Sequence, residues 1–386
     1  MSKQTSYSGR DLGIDLGTAN TLVYVQGKGV VLNEPSVAAV NSHTGEVMVV
    51  GADAKKTIGR TPSGITAVRP LRDGVIADFE IAERMLRHFI KKVVGSRFFR
   101  RGPRVVICVP SGITGVERRA VIEAAGRAGA QQVHLIEEPL AAAIGAGLPV
   151  AEPTGCMVVD VGGGTTEVAV ISLGGIVSAR SVRVAGDAMD TAIAAYVHKE
   201  MGLALGERSA EELKMSIGSA SPGILSPAGL GALMDQLAKD PELREAAAGD
   251  PEETAGLRAP DKCVVRGREL ATGLPRTLEL SEEQIRHALA EPVESIIAAV
   301  RETFDDCPPE LAGDIVDRGL VLTGGGALLR GLDQRLRQEL GIPVTVADDP
   351  LNCVVQGTGQ CVEDFERLKS VLDTGGSRKL LLAGAA

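Results

Sequence analysis

Leu12-Gly13-Ile14-Asp15-Leu16-Gly17-Thr18-Ala19-Asn20-Thr21 is an apolar run that carries an acid near its end and breaks into a glycine turn. The second half of the chain repeats the device as Met157-Val158-Val159-Asp160-Val161-Gly162-Gly163-Gly164-Thr165-Thr166-Glu167-Val168. Each copy continues into another β-rich stretch, Thr21-Leu22-Val23-Tyr24-Val25 and Val168-Ala169-Val170-Ile171. Glycine lets the backbone turn tightly and come close to a ligand. Consecutive N–H groups in such a turn form a concavity for anions. An Asp at the strand end can hold a hydrated Mg²⁺. Two such turns facing each other would grip the phosphates of one nucleotide from both sides. One copy alone reads equally well as an ordinary hairpin, and it is the second copy that favours the phosphate reading. Neither is a Walker loop, because no Gly-Lys-Ser/Thr follows. Neither is a dinucleotide fingerprint, which needs a helix directly after the glycines.

At 386 residues the chain has room for two domains. Hydrophobic residues make up 44% and aromatics only 2%, with no Trp, so the cores must be aliphatic. No run of about 18 uncharged apolar residues occurs, so no transmembrane helix is expected. The first ten residues are polar and lack the apolar stretch of a signal peptide. Six Cys occur without a Cys-x-x-Cys pair, and Cys108 and Cys156 lie in apolar strand-like runs. A reduced cytoplasmic protein is the simplest reading. A net charge of -9 argues against a general nucleic-acid binder.

Helical spacing runs from Asp78 to Val94, with Ile81, Met85, Leu86, Phe89, Ile90 and Val93 on one face. Val105 to Pro110 reads as a buried strand, Val116 to Ala128 as a helix, His134 to Glu138 as a strand and Pro139 to Ala146 as a small-residue helix. Further helices are expected from Asp187 to Met201, from Ser209 to Ile217 with Ser209 and Glu212 as a capping box, and from Ser281 to Thr303 with Ser281 as cap. Asp317 to Leu322 reads as a strand, Thr323 to Gly326 as a turn and Ala327 to Leu340 as a helix. Residues 221–261 are rich in Gly, Pro, Ala and acids and read as an inserted surface excursion, with Leu230, Leu233, Met234 and Leu237 in helical spacing. Residues 374–386 read as a disordered tail. The order of strands then helix, met twice, predicts an α/β protein of two similar domains with a ligand cleft.

The chain resembles the actin/hexokinase/heat-shock ATPase superfamily, and within it the bacterial actins of the MreB kind. The resemblance rests on Ile14 to Thr21, Glu34-Pro35-Ser36-Val37-Ala38, Arg69-Pro70-Leu71-Arg72-Asp73-Gly74-Val75-Ile76-Ala77-Asp78 and Ile136 to Gly145. It continues through Asp160 to Glu167, Gly206 to Lys214 and Leu322-Thr323-Gly324-Gly325-Gly326-Ala327-Leu328-Leu329. It implies an actin-like ATPase fold of two α/β domains, each with a small subdomain, around a nucleotide cleft. Domain I would span 1–150, with a small lobe at about 34–66. Domain II would span 151–386, with its larger part at 151–186 and 270–360 and its small lobe at 187–269 carrying the insertion. It further implies ATP or ADP with Mg²⁺ as cofactors, slow hydrolysis and self-assembly into paired protofilaments. The implied place is the inner face of the cell membrane. There it would organise peptidoglycan synthesis with membrane proteins such as RodZ, MreC and MreD. A small-molecule kinase or a chaperone-type ATPase of the same superfamily is the alternative. No convincing Asp base for a kinase is apparent, and little more than a tail follows Gly359 where a chaperone would need a substrate domain.

In this reading N–H groups of Gly17, Thr18, Ala19 and Asn20 and of Gly162, Gly163, Gly164 and Thr165 cradle the β- and γ-phosphates. Asp15 and Asp160 orient Mg²⁺ through water. By resemblance Glu138 and Thr165 position the attacking water; by itself Glu138 is equally a helix-terminus acid. The resemblance places Glu211 and Lys214 at ribose and adenine, although their spacing by itself most often marks a surface ion pair. Gly324, Gly325 and Gly326 would allow close approach of a base or sugar, with Ala327, Leu328 and Leu329 completing that wall. A membrane site is expected at Arg97-Phe98-Phe99-Arg100-Arg101, where Phe side chains insert and Arg meets anionic headgroups. The alternative is that one Phe packs inward.

Overall fold

The repeat in the sequence is a repeat of sheets. In the computed structural model, which describes residues 11–94, 102–222, 261–369 and 372, Leu12–Leu16 (β1), Asn20–Val25 (β2) and Gly29–Pro35 (β3) form an antiparallel meander. Ala38–Asn41 (β4), Val47–Val50 (β5) and Ile65–Val68 (β6) make a small separate sheet, with the short helix Ala52–Lys55 (α1) beside it. A two-stranded hairpin follows, Leu71–Arg72 (β7) and Val75–Ile76 (β8). The chain then makes helix Phe79–Val94 (α2), strand Arg104–Val109 (β9), helix Gly115–Ala128 (α3), strand Gln132–Glu137 (β10) and helix Glu138–Gly145 (α4). β9 lies parallel to β1, and β10 parallel to β9, so the first large sheet has the order β10-β9-β1-β2-β3.

The second half repeats this plan. Cys156–Val161 (β11), Thr166–Ser172 (β12) and Gly175–Val182 (β13) form the meander. Gly186–Met201 (α5), Leu203–Ala204 (β14), Glu207–Ile217 (α6), Lys262–Glu269 (β15), Pro275–Ser281 (β16), Glu282–Asp305 (α7) and Pro309–Arg318 (α8) come next. Leu320–Thr323 (β17), Leu332–Leu340 (α9), Val344–Val346 (β18), Cys353–Glu363 (α10) and Phe365–Leu368 (α11) complete the described chain. β17 is parallel to β11 and β18 to β17, so the order β18-β17-β11-β12-β13 matches the first sheet strand for strand.

Every residue of β1 and β11 is buried. Strands covered on both faces read as continuous apolar runs, which is why these two were plain in the sequence. One core lies where α2 and α3 cover the first sheet, with Leu12, Ile14, Met85, Leu86, Phe89 and Ile90 at its centre. A second core gathers Val106, Cys108 and Ile136 from the first sheet and Val158, Ala169 and Ile171 from the second around α4 and α10. These two helices are almost in backbone contact. A Cβ on Gly145 would run into the carbonyl of Cys353, and one on Gly357 into the carbonyl of Ala141.

Two compact units result. The first holds residues 1–186, 298–327 and 342–386, and with them both large sheets. The second holds 187–297 and 328–341, including the sheet β14-β15-β16. All six cysteines are free. Among the described residues no helix is long and apolar enough to cross a membrane.

Local chemistry explains most helix ends. Asp78 Oδ1 accepts the Ile81 N–H at 3.0 Å at the start of α2. Ser281 caps α7 as expected, with its N–H donating to Gln284 Oε1 at 2.9 Å. Three expectations need correction. The capping box of Ser209 and Glu212 does not form, because α6 starts earlier, at Glu207, after Gly206; Glu212 instead pairs with Arg208 at 2.8 Å. The strand near residue 320 is Leu320–Thr323, and the residues before it form α8, a helix masked in the sequence by its polar exposed face. The glycines of Gly324–Gly326 do not open an α-helix. They lead into a 3₁₀ turn, Gly325–Leu328, and Gly331 in the left-handed region separates it from α9.

Candidate functional site

The two glycine turns touch. A Cβ on Gly163 would sit 2.6 Å from the Cβ of Ala19, and one on Gly164 would sit 2.7 Å from Thr18 Oγ1. Any side chain at either position would drive the turns apart, so glycine is required here by packing as well as by turn geometry. The turn Gly17-Thr18-Ala19 is also fastened from behind. Ser36 Oγ donates to the Gly17 carbonyl at 2.6 Å and lies 2.9 Å from Thr21 Oγ1, while its N–H donates to the Ala19 carbonyl at 2.9 Å. This gives the Glu34-Pro35-Ser36 motif a physical purpose that the sequence reading did not see. Thr18 Oγ1 accepts the Gly74 N–H at 3.0 Å, and Gly74 lies against Pro110 and the Thr165 methyl. Hence the β7–β8 hairpin braces both turns.

One proposed donor is already engaged. The Gly162 N–H closes the β11–β12 hairpin on the Thr165 carbonyl at 2.9 Å. Gly163, Gly164 and Thr165 are left as the donors of that turn, which corrects the expectation for Gly162.

Asp15 and Asp160 occupy corresponding places on β1 and β11. Asp160 is 2% exposed and accepts Thr323 Oγ1–H at 2.9 Å across the β11–β17 pair. Asp15 receives a weak bond from Cys108 Sγ at 3.4 Å. Burial raises the Asp15 pKa to about 6, against which the Cys108 contact pulls it down. Burial raises Asp160 to about 7; the charges of Asp15 and Glu167 add to this, and the Thr323 bond opposes it. Neither carboxylate makes an ion pair with a described residue. Two buried acids without a cation fit a site for a divalent ion held through carboxylate and water.

Glu138 is the first residue of α4, half-buried at the end of β10. Its pKa is raised well above the carboxylate range, by burial first and then by Asp160, Asp15 and Glu167. Glu167 was not singled out. It is fully buried opposite Asp160 in the β11–β12 register, and it accepts the N–H and Oγ–H of Ser111 and the Oγ–H of Ser181. It thereby ties β9, β12 and β13 behind the second turn.

Gly324, Gly325 and Gly326 pack against this same corner. A Cβ on Gly324 would meet Asp160 Oδ1 at 2.6 Å, and one on Gly326 would enter the Val161 side chain. Gly324 also has φ +79° and donates its N–H to the Pro350 carbonyl at 2.8 Å. Ala327 and Leu329 are buried, whereas Leu328 is exposed. Glu211 and Lys214 belong to α6 of the second unit. Lys214 Nζ is bound to Asp190 Oδ1 at 2.9 Å, a mostly buried pair; burial lifts the Asp190 pKa to about 6 while Lys214 draws it down. Arg97, Phe98, Phe99, Arg100 and Arg101 lie outside the described residues, as do 223–260. A cleft of about 350 Å³ beside β5 and α2 contains none of the expected site residues and lies apart from this chemistry.

The sequence pattern of the MreB/Mbl protein family matches residues 9–226 and 252–370. The intervening 227–251 falls inside the stretch read as an insertion. The cell shape-determining protein MreB of Escherichia coli K12 is 53% identical over 357 residues, covering 92% of this chain and 93% of that protein. The cell shape-determining protein Mbl of Bacillus subtilis 168 is 45% identical over 359 residues, covering 93% and 97%. Among solved structures, MreB5 of Spiroplasma citri bound to ADP superposes with a TM-score of 0.80 at 35% identity, covering 94% of this chain and 98% of that one. A MamK double helical filament shares the fold with a TM-score of 0.70 at 19% identity over 92% and 99%. With the repeated actin-like sheets, the abutting glycine turns and a family match over nearly the whole chain, this protein belongs to the MreB/Mbl family.

Proposed function

We propose that the chain binds Mg-ATP at the paired glycine turns, hydrolyses it slowly to ADP and phosphate, and uses the cycle to assemble filaments. Those filaments would lie on the inner face of the cytoplasmic membrane and organise peptidoglycan synthesis with RodZ, MreC and MreD. The carrying observation is the contact of Gly163 and Gly164 with Ala19 and Thr18, flanked by two buried carboxylates that make no ion pair with a described residue. The relative MreB5 of Spiroplasma citri was solved with ADP and with AMPPNP, which supports a nucleotide at the corresponding place. Domain boundaries near 150 and small lobes at 34–66 and 187–269 remain part of this proposal.

Bound Mg²⁺ supplies charge neutralisation for the transferring phosphoryl group. The chain supplies the rest. Backbone N–H groups of Gly17 to Asn20 and of Gly163 to Thr165 hold phosphate oxygens, preorganised by Ser36 and Gly74. Asp15 and Asp160 would hold the Mg²⁺ through water. Glu138 accepts a hydrogen bond from the attacking water and aligns it, with Thr165 alongside. Positioning and charge stabilisation carry this reaction, so a strong base is not required.

Asp160→Ala tests the reading. It should weaken ATP affinity by tenfold or more, the scale of losing a charge-assisted anchor, as measured by equilibrium dialysis in Mg²⁺ buffer. Parent-like affinity and phosphate release would remove the site from the turns.

A further inference from the structure

β5 is a free edge of its sheet. In the order β5-β4-β6 it pairs with β4 alone among the described residues. Alternate backbone N–H and C=O groups along its outer side therefore point away from the sheet. The cleft of about 350 Å³ runs along that side. All four residues Val47–Val50 line it, whereas successive side chains of a strand point to opposite faces. A cleft that meets both faces of β5 and no residue of β4 follows the outer edge of the strand. Native edges are commonly guarded by Lys or Pro. This one reads Val47-Met48-Val49-Val50, with Met48 54% and Val49 40% exposed.

The opposite wall is α2. Arg84, His88 and Lys92 line the cleft at four-residue spacing, on one exposed face of the helix. The two acids of the cleft are already paired. Glu34 holds Lys92 Nζ at 2.6 Å, and Asp53 holds Lys56 Nζ at 2.8 Å. Arg84 makes no ion pair with a described residue. The balance at this wall is cationic, in a chain whose net charge is -9. A slot between an edge strand and a helix suits an extended peptide. Its backbone bonds to the edge, and its side chains are selected by the walls.

We propose that β5 and α2 form a docking groove for an extended acidic segment of a partner protein, which adds as a strand to β5 and sets carboxylates against Arg84 and His88. Its apolar side chains lie alongside Met48 and Val49. Charge complementarity selects the occupant, because an acidic segment supplies the counter-ions that Arg84 and His88 lack, and a basic one is repelled there. The groove lies wholly within the first unit and is independent of the nucleotide reading.

The probe is a fluorescein-labelled hexapeptide of alternating Glu and Val, read by fluorescence anisotropy on the full-length, nucleotide-free protein. Its control alternates Lys and Val at the same ionic strength. The acidic peptide should bind at least tenfold more tightly than the basic one, although the net charge of the molecule favours the opposite order. Arg84→Glu should remove that preference. Hydrogen exchange at the Val47–Val50 amides should slow when the acidic peptide saturates the protein. Equal affinity for the two peptides overturns the proposal. So does parent-like binding to Arg84→Glu, or slowing confined to another segment. If Arg84→Glu is insoluble, Arg84→Gln removes the charge without reversing it. It should weaken the acidic peptide threefold or more, and unchanged affinity counts against the groove. Two further results would overturn the proposal by naming another occupant. Phosphatidylglycerol vesicles that bind the parent but not Arg84→Glu, with no peptide binding, would assign the groove to a membrane surface. Slowing at Val47–Val50 that grows with protein concentration, without peptide, would assign it to a second copy of the chain.

Discussion

Asp15, Asp160, Glu138 and Glu167 bring four carboxyl groups to the ends of β1, β11 and β12 and the start of α4, and burial is the largest influence raising the pKa of each; in Asp15, Asp160 and Glu167 it outweighs hydrogen bonds that favour ionisation, and in Glu138 the neighbouring acids add to it. Asp160 holds its proton to about 7 when folded, against 3.8 as a free side chain. Between these values the native state binds protons that the unfolded chain has released, so stability falls as pH rises through that window. The melting temperature of nucleotide-free protein should therefore drop between pH 5 and 8 by more in the parent than in Asp160→Asn. Taking the difference removes His134, whose pKa burial lowers and whose effect has the opposite sign. Parallel melting curves for the two proteins across this range would show that Asp160 is ionised throughout. Glu138 makes a second case. Glu138→Ala should keep ATP bound and slow phosphate release by about tenfold or more, the scale of losing one positioned catalytic group. A phosphate-release rate equal to the parent's would take Glu138 out of the mechanism. At this scale the sequence displayed the acids and glycines but not their partners. Ser36, Gly74, Thr323 and Glu167 are remote in the chain from what they hold, and no local spacing marks them.

Elements explain how the site corner is packed. α4 brings Glu138 to the site, and α10 packs against α4 through Gly145 and Gly357, whose missing side chains let backbone meet backbone. Gly13 on β1 faces Thr358 of α10 in the same way, and Gly359 faces the Tyr24 ring. A small-residue stripe on α10 thus sets how closely it lies on β1, β2 and α4. Gly357→Val should cost about 1–3 kcal/mol or more by overpacking. Thermal melting would show this as a fall of several degrees, and a parent-like midpoint would mean that the helices can separate freely. Long periodic elements such as α2 were legible because their apolar faces are continuous. α8 was not, because of its polar exposed face, and β14 and the turn Gly325–Leu328 were not, because short segments take their form from neighbours more than from propensity.

For the whole molecule, the matched order of the two large sheets gives each half one glycine turn, and the contact between turns makes a single site from two repeats. Membrane attachment belongs to this scale too. Phe98 and Phe99, with Arg97, Arg100 and Arg101, lie outside the described residues, and the expectation rests on their chemistry alone. Each cation near an anionic surface contributes about 1 kcal/mol, and a partly inserted Phe about 1–2. One loop binds marginally, whereas a filament sums many. The double change Phe98→Ser and Phe99→Ser should abolish co-sedimentation of ATP-assembled filaments with anionic liposomes and spare assembly. Undiminished pelleting with liposomes would place the anchor elsewhere. The sequence by itself determined the fold class, the repeat, the family and the residue types of the candidate site, because each is carried by a contiguous motif. Tertiary structure alone decided that Gly163 meets Ala19, that Gly162 spends its N–H on the hairpin and that Lys214 is held by Asp190. It also decided that four carboxyls share one buried field. Those facts depend on distances between segments remote in the chain, which only the packed core sets.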